Sequence, residues 1–326
     1  MTLHKNVEDD EYFLQLDKND LEKEFIYFAY VLNAPQAAGV RGGAIGQGAV
    51  LEFRRFKDEI ALFKKNTNFS NETDNNIGKA DLTNIMEAFL DSFEVVVEEG
   101  ESIVISVSDL FLSETLTSVS PNLPREYRDF VDLDLGRLDD DKTFINQVRN
   151  YPKNTAVEVT FGFSNPKPNQ RNAVYAVADA RFTSIVARHL FVEMPDDQFN
   201  TRVADQRVGY FSQRVTDLST YDNYPQRDLI NKWRLIKKDP EAELSEPVNP
   251  IVFWVEKSTP EEIKPMVVKG IEAWNLAFER AGFKNAIVAK IQPDDADWDA
   301  GDIQYNVVRW SSSPRPAFSG YGPSIG

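Results

Sequence analysis

The spacing of apolar residues divides the chain into two regions with different patterns. In residues 1–245, short aromatic and β-branched runs such as 11–16 and 24–32 alternate with polar turns, and this pattern predicts antiparallel strands. Two apolar runs within 49–65 flank a short polar turn and predict a β-hairpin. We therefore expect a β-rich antiparallel N-terminal domain over residues 1–245.

Further apolar runs of the same region predict five more strands and one helix. The predicted strands are 93–99, 102–108, 156–163, 172–178 and 184–194. Residues 79–93 have the period of an amphipathic helix instead. Its apolar stripe consists of Leu82, Ile85, Met86, Phe89 and Leu90.

A proline-containing segment separates this region from a second one. Residues 237–250 hold three prolines, and a residue that precedes proline favours an extended backbone, so we expect an extended connector. Residues 251–256 then show the continuous apolar pattern of a buried strand. A helix over 260–281 and strands over 285–291 and 303–310 complete an α/β unit. The predicted fold class is α+β, with the second domain over residues 246–326.

The predicted helix 260–281 carries signals at both of its ends. Thr259 and Glu262 have the spacing of a capping box, with Pro260 at the first helical position. Pro265 removes an amide and predicts an irregular first turn, and Gly282 suits a left-handed C-terminal residue. The apolar stripe is Ile263, Val267, Ile271, Trp274, Phe278 and Ala281. The stripe predicts a helix packed on a sheet, without a functional residue of its own.

Charge and composition exclude several classes of function. The chain holds 36 basic and 52 acidic residues, a net charge of −16, and such an acidic surface disfavours nucleic-acid binding. Cysteine is absent, which excludes disulfides, thiol nucleophiles and cysteine-bound zinc. No apolar run reaches about 18 residues, so no membrane span is predicted. The N-terminal residues lack the pattern of a signal peptide, which we interpret as a signal that was removed or never present.

Residues with metal-binding or catalytic chemistry are few. The two histidines are His4 and His189, and a zinc site needs at least three protein ligands. His189, with Glu193 nearby in one predicted strand, is therefore interpreted as structural. The Gly-rich stretch 37–48 fits neither phosphate-loop pattern and is expected to be a flexible loop. The acidic loops 132–141 and 294–302 do not match an EF-hand and are expected to be solvated surface. We assign no catalytic and no metal-binding residue.

Residues 231–310 closely resemble the large bacterial zinc-dependent metallopeptidases, in which a metzincin-like catalytic domain follows a β-rich N-terminal domain of unknown role. The segments that carry the resemblance are Trp233-Arg234-Leu235, Lys238-Asp239-Pro240, Ser245-Glu246-Pro247, Gly270-Ile271-Glu272-Ala273-Trp274-Asn275, Ala277-Phe278, Ala281-Gly282-Phe283 and Asn285-Ala286-Ile287. Residues 204–211 and the run 24–32 with its Gly-rich loop also resemble the N-terminal domain of that family.

The resemblance implies that 251–310 forms the upper half of a metzincin-like domain. It also implies that the tail leads into the edge strand of a substrate cleft, at Ala317, Phe318, Ser319 and Gly320. In that family an HExxHxxGxxH-type helix binds zinc and activates water, and this motif does not occur here. We therefore expect zinc, a peptide or protein substrate, and a periplasmic or extracellular location for a full-length parent, and no activity for this chain alone.

Two functions from different classes remain open at this point. In the first, the chain is an N-terminal fragment of a metallopeptidase whose metal-binding half lies downstream. In the second, it is a non-catalytic module that binds peptides or glycans with a degenerate peptidase half. An HExxH motif in the gene after Gly326 would favour the first function, and a stop codon would favour the second. We also expect an α/β half without its complement to expose apolar surface.

Overall fold

The computed structural model describes residues 1–8, 10–46, 48–70, 84–120, 131–168, 175–195 and 199–312. Within these residues, a first compact unit covers 1–195 and 215–226, and a second covers 199–214 and 227–312. The boundary that the sequence suggests, at 245/246, lies later in the chain than this division. The stretches that precede the proline-containing segment thus group with the α/β unit.

The first unit is built on strands that mostly follow the predicted apolar runs. They are β1 (Thr2–Lys5), β2 (Tyr12–Asp17), β3 (Glu24–Asn33), β4 (Ala49–Phe56), β5 (Glu59–Lys64), β6 (Phe69–Ser70), β7 (Ala88–Glu99), β8 (Ser102–Ser106), β9 (Arg137–Leu138), β10 (Phe144–Asn150), β11 (Asn154–Ser164) and β12 (Phe182–Glu193), with a short helix α1 (Ser108–Leu112). Eleven of these strands form one antiparallel sheet of order β1-β2-β8-β7-β5-β4-β3-β12-β11-β10, with β9 paired to β11. The antiparallel, β-rich class of this region is confirmed.

The large sheet curls until its first and last strands meet. The backbone N–H of Leu3 in β1 donates to Oδ1 of Asn150 at the end of β10, at 2.9 Å. The Asn150 Nδ2 donates in turn to the Leu3 carbonyl, also at 2.9 Å. The Asn150 side-chain amide therefore takes the place of a neighbouring strand's backbone at Leu3 and joins the two edges of the sheet. Fewer backbone N–H and C=O groups are left unpaired at these edges.

The interior of the curled sheet is filled by the inward-facing residues of each strand. In β12, the alternate residues Ile185, Ala187, His189 and Phe191 are buried, because every second residue of a strand lies on the same face of its sheet. Leu110 and Phe111 of α1, together with Leu133 and Leu135, complete this core. A smaller apolar cluster lies among the alternate residues of β3, β11 and β12, and consists of Phe28, Tyr30, Ala156, Leu190 and Val192.

The acidic stretch 132–141 is more than solvated surface. Its Leu133 and Leu135 are 1% and 4% exposed, and the amides of Asp132 and Leu133 both donate to the Ala37 carbonyl. The expectation of a wholly solvated loop was wrong here, because two leucines spaced between the acids supply apolar area to the core.

The helix predicted over 79–93 is wrong in its described part. Ala88 begins the long strand β7, which pairs with β5 so that Phe93 lies opposite Ile60. Phe93 is buried, whereas Met86 from the predicted apolar stripe is 81% exposed. The pairing with β5 and the β-branched run after Phe93 prevail over the local helical period. Residues 175–178 of the predicted strand 172–178 likewise form turns and not a strand.

The Gly-rich stretch after β3 is held to that strand by backbone hydrogen bonds. The Val31 amide donates to Ala44 at 2.8 Å, and the Gly46 amide donates to Ala29 at 2.8 Å. Ile45 also forms an isolated antiparallel bridge with Tyr30. The loop therefore extends the pairing of β3 beyond its pairing with β4. The expectation of a flexible loop is corrected at these positions.

The remaining elements are β13 (Ser212–Asp217), β14 (Gln226–Ile230), β15 (Ile251–Val255), α2 (Lys264–Glu272), α3 (Asn275–Arg280), β16 (Ile287–Ile291) and β17 (Asn306–Val308). A small sheet has the order β14-β13-β6. A three-stranded parallel sheet has the order β16-β15-β17, with β15 in its centre. The strand, helix, strand and strand predicted over 251–310 are confirmed as elements, and the helix is divided in two.

The start of the predicted helix differs from the capping box read from the sequence. The helix α2 begins at Lys264, and its N-cap Ile263 makes no side-chain cap. The Thr259 hydroxyl lies a turn too early to cap it and has no hydrogen-bond partner among the residues that the structure describes. The irregular first turn expected from Pro265 is confirmed.

The centre and the end of the helix are set by different residues. Between α2 and α3 the chain makes a turn at Ala273–Trp274, which leaves Trp274 64% exposed and off the packing stripe. At the end, Gly282 has φ +88°. Its amide donates to Glu279, and the Phe283 amide donates to Phe278, so a Schellman motif ends the helix as the sequence predicts.

The stretch 237–250 is not an extended connector. The Lys238 amide donates to the Glu246 carbonyl at 2.9 Å, and the Val248 amide donates to Ile236 at 2.8 Å. These bonds fold the stretch back on itself, and they bring Ser245 beside Phe283 as a parallel bridge.

Candidate functional site

The carboxyl ends of the three parallel strands place polar side chains at one edge of the α/β unit. Glu256 follows β15, Gln292 follows β16 and Arg309 follows β17. The chain moves to one side of β15 through α2 and α3, and later to its other side to reach β17. Ligands of open α/β sheets bind at carboxyl ends where the connections diverge in this way, so this edge is the candidate site.

Each of these polar groups already holds a partner. Arg309 Nε donates to Glu256 Oε1 at 3.1 Å, and Ser258 Oγ donates to Glu256 Oε2 at 2.7 Å. The buried Gln292 accepts from the Lys257 amide at 3.1 Å and donates to the Trp298 carbonyl at 2.9 Å. The charge of the Glu256 carboxylate is thus balanced by Arg309. The hydrogen bonds of Glu256 and Gln292 hold the loops that follow the strands.

One buried hydroxyl at this edge has no partner within the described residues. Thr259 is 3% exposed, and its Oγ1 makes no hydrogen bond there. Its amide donates to the Glu256 carbonyl at 3.0 Å, which places the hydroxyl on the turn after β15. An unpaired buried hydroxyl costs about 1–3 kcal/mol.

The outer edge of β16 is covered by side chains from the helices. Asn275 donates to the Ile287 carbonyl at 2.8 Å and accepts from the Ile287 amide at 3.1 Å. Glu272 accepts from the Ala289 amide at 3.4 Å. Because these bonds occupy the edge groups, β16 is protected against pairing with another strand.

An apolar surface lies on the outer side of α2 and α3. Met266, Trp274 and Leu276 are 69%, 64% and 72% exposed. Two shallow hollows on this side are lined by Pro265, Val268, Lys269, Glu272, Ala273 and Ile291, and by Ala273, Trp274, Leu276, Ala277 and Arg280. We call Met266 and the residues that line the two hollows the helix patch. Large apolar side chains exposed in this number are unusual on the outer face of a helix that packs on a sheet.

An aromatic cluster stands on the sheet itself. Trp298 and Tyr305 stack in parallel with ring centroids 3.8 Å apart, and Trp254 of β15 meets Trp298 edge-on at 5.2 Å. The Lys290 ammonium lies 5.2 Å from the Trp254 ring. The cluster ties the acidic loop 294–302 to the sheet, and the first three aspartates of this loop are exposed, as expected. The expectation of a wholly solvated loop was wrong at Asp302, which is 5% exposed and accepts from the Gln304 amide at 3.0 Å.

The histidine singled out in the sequence lies in the core of the first unit. His189 is fully buried among the rings of Tyr27, Phe111 and Phe161. Its Nδ1 is 2.8 Å from the Tyr27 hydroxyl, and its Nε2 has no partner among the described residues. Burial lowers the pKa of His189 to about 4 and raises the pKa of Tyr27 above its usual range. Glu193 is paired with Lys153 at 2.9 Å instead, so the two residues do not form a metal pair.

Comparison with protein families identifies the larger part of the chain. Residues 42–238 match the family described as Domain of unknown function (DUF5117). The chain belongs to this DUF5117 family. The comparisons with curated proteins and with solved structures gave no match. The DUF5117 match begins within the Gly-rich stretch 37–48, ends at Lys238 and so stops before the parallel sheet.

The described residues do not fit a zinc ion. His4 bonds to Gln15 at the surface, and His189 lies among aromatic rings of the DUF5117 domain. Within the described part of the chain, no three His, Asp or Glu side chains converge on a common point. The proposed cleft residues Ala317, Phe318, Ser319 and Gly320 lie outside the described residues. In the part that the structure describes, no helix is both long and apolar enough to cross a bilayer.

Proposed function

We propose that residues 251–310 are the scaffold half of a zinc-dependent metallopeptidase domain, which the DUF5117 domain precedes. The metal-binding half is the stretch with the HExxH motif that the resemblance places after this one. The chain by itself binds no catalytic zinc and cleaves no peptide bond. The parent protein hydrolyses peptides or proteins and acts in the periplasm or outside the cell.

The observation that carries this proposal is the helix patch. A helix that packs one face on a sheet is normally polar on its other face, but here Met266, Trp274 and Leu276 project outward. Burying one such side chain is worth about 1.5–3 kcal/mol, so a complementary half that covers all three offsets a large part of the association cost of about 4–15 kcal/mol. The parallel order β16-β15-β17 supports the same interpretation, because it supplies the strand, helix, strand and strand that the resemblance implies.

The proposal is tested by complementation between two separately purified polypeptides. One is this chain, and the other carries the downstream HExxH stretch. We expect them to co-elute in size-exclusion chromatography, and we expect the double variant Trp274→Ser/Leu276→Ser to abolish the complex. Phe211→Ser removes a side chain that is 86% exposed elsewhere in the second unit, and this matched control should leave the complex intact.

Two results would overturn the proposal. One is a complex that forms equally well with the double helix-patch variant. The other is a lack of association together with binding of peptides or glycans by this chain alone, which would favour the non-catalytic module instead.

A further inference from the structure

Two segments of the second unit lie side by side and are joined by backbone hydrogen bonds. The Ala204 amide donates to the Asp228 carbonyl at 2.7 Å, and the Ile230 amide donates to the Arg202 carbonyl at 2.9 Å. The Asn231 amide donates to the Phe211 carbonyl at 2.8 Å. We call residues 199–214 and 227–236 the basic ribbon. It belongs to the part of the chain that matches DUF5117.

The charge of the basic ribbon is opposite to that of the rest of the chain. It contains the six basic residues Arg202, Arg207, Arg214, Arg227, Lys232 and Arg234. Its acidic residues are Asp205 and Asp228. In a chain with a net charge of −16, such a concentration of guanidinium groups creates a local positive field that attracts an acidic partner.

The same ribbon exposes apolar side chains between its charges. Phe199, Val203, Val208, Tyr210, Phe211, Trp233 and Ile236 are each at least 37% exposed, and Phe211 reaches 86%. Cations lie beside two of the rings, with Arg202 at 5.9 Å from the Tyr210 centroid and Lys232 at 4.9 Å from the Phe199 centroid. Exposed apolar groups among predominantly basic side chains are typical of a binding surface and not of plain solvated surface.

Two arginines of the ribbon already hold carboxylates in a forked geometry. Arg207 binds Asp205 through Nε at 2.9 Å and Nη2 at 2.6 Å, and Arg214 binds Asp228 through the same atoms at 2.8 and 3.0 Å. The two guanidinium side chains are 87% and 69% exposed. Exposed ion pairs of this kind are worth less than about 1 kcal/mol. A partner's carboxylates can therefore exchange with Asp205 and Asp228 at little cost.

We propose that the basic ribbon binds an acidic polypeptide segment in which carboxylates alternate with apolar side chains. The guanidinium groups would bind the carboxylates, and Val203, Val208 and Phe211 would pack against the side chains between them. A nucleic acid fits less well, because its dense phosphates meet the acidic remainder of the chain and its bases do not pack on aliphatic valines. This inference is independent of the metallopeptidase proposal, since it concerns the DUF5117 domain alone.

The test measures binding of fluorescent probes to the full chain by anisotropy. The probes are a peptide that alternates Glu with Leu and Phe, the same peptide with Lys in place of Glu, and a single-stranded oligonucleotide of equal negative charge. We expect the Glu peptide to bind more tightly than the other two. Its affinity should fall at least about tenfold between about 50 and about 500 mM NaCl.

Two charge-matched double variants locate the site. Arg202→Glu/Lys232→Glu alters the ribbon and should weaken binding of the Glu peptide at least about tenfold. Arg137→Glu/Lys167→Glu makes the same change of net charge at exposed positions of the first unit and should leave binding unchanged. Equal thermal unfolding midpoints of the two variants and of the wild type show that both variants fold.

Several results would overturn this inference. They are equal loss of binding in both double variants, tighter binding of the oligonucleotide than of the Glu peptide, and insensitivity of binding to salt. The inference also fails if light scattering shows dimers that only Arg202→Glu/Lys232→Glu dissolves, because a second copy of the chain would then occupy the ribbon.

Discussion

The side-chain amide of Asn150 pairs with the backbone of Leu3 as a neighbouring strand would. It accepts from the Leu3 amide and donates to the Leu3 carbonyl, both at 2.9 Å. Asn275 repeats the arrangement at Ile287 on the edge of β16, at 3.1 and 2.8 Å. In each unit an asparagine thus saturates a strand where the backbone ladder ends, and this limits unwanted pairing of the edge.

Replacement of Asn150 should therefore loosen the closure of the curled sheet. Asn150→Ala leaves the Leu3 amide and carbonyl without partners, and we expect a loss of about 1–2 kcal/mol in the free energy of unfolding. Urea unfolding followed by circular dichroism measures the change. Asn146→Ala in the same strand removes exposed side-chain bonds to Glu158 and Thr160 and should cost less than about 1 kcal/mol. Equal losses in the two variants would argue against a role in closure.

Replacement of two glycines at the helices by alanine should change the stability of the chain in opposite directions. A Cβ at Gly282, where φ is +88°, would lie 2.9 Å from the Glu243 carbonyl, whereas a Cβ at Gly270 meets nothing within 4 Å. Gly282→Ala should destabilise the chain by about 1–2 kcal/mol or more. Gly270→Ala, inside α2, should stabilise it by about 0.5–1 kcal/mol. Thermal unfolding of both variants checks the signs, and two changes of the same sign would contradict the assignment of the helix end.

The buried histidine should make stability depend on pH in a defined window. The unfolded chain takes up a proton near the ordinary pKa of 6.5, and folded His189 does so only near 4. The free energy of unfolding therefore carries no penalty from His189 above about pH 6.5. It decreases by about 3 kcal/mol as the pH falls toward 4, because the unfolded chain then binds a proton that the folded chain does not. The double variant Tyr27→Phe/His189→Leu removes the titrating group without leaving an orphan hydroxyl. Urea unfolding at about pH 7 and about pH 4.5 should show a smaller pH dependence in this variant, and an unchanged dependence would contradict the assignment.

A network of ion pairs among Arg54 of β4, Lys65 directly after β5 and Glu87 directly before β7 should affect stability at lower pH. Glu87 pairs with Arg54 at 2.7 Å and with Lys65, and these cations lower its pKa to about 2. The stability that it supplies is present above its ordinary pKa of 4.5 and is lost as the pH falls toward 2. Since the Glu87 side chain is 32% exposed, we expect Glu87→Gln to cost only about 1 kcal/mol at neutral pH. Glu24 lies 3.9 Å from Lys65, so Glu24→Gln should lower the free energy of unfolding by less than Glu87→Gln does. A larger loss for Glu24→Gln than for Glu87→Gln would contradict the role of the network.

The sequence predicted those features that depend on local pattern. The hairpin of β4 and β5, the strands β11 and β12, the parallel strand β15 and the left-handed Gly282 all follow from periodicity or from backbone chemistry. Strand β7 was predicted over 93–99, but its start at residues 88–92 was missed. Phe89 and Phe93 satisfy a helical and an extended period equally well, and only the pairing with β5 decides between them.

The candidate site was out of reach of the sequence for a different reason. The pair of Glu256 with Arg309 joins positions 53 residues apart, and the bonds of Asn275 to Ile287 depend on where the helix ends over the strand. The basic ribbon could have been found, because six basic residues within two short segments of an acidic chain are visible in the sequence. The exposure of Trp274 could not have been predicted from the sequence, since it results from the turn between α2 and α3.

In the proposed function this chain supplies a scaffold, and the metal and its chemistry come from another stretch. Calorimetric titration of zinc into the chain, combined with a casein hydrolysis assay, tests this most directly. We predict no stoichiometric zinc binding and no hydrolysis by the chain alone, and we predict hydrolysis once the HExxH stretch is added with zinc. Tight binding of one zinc ion by this chain, together with cleavage of casein in the absence of the second polypeptide, would contradict the account.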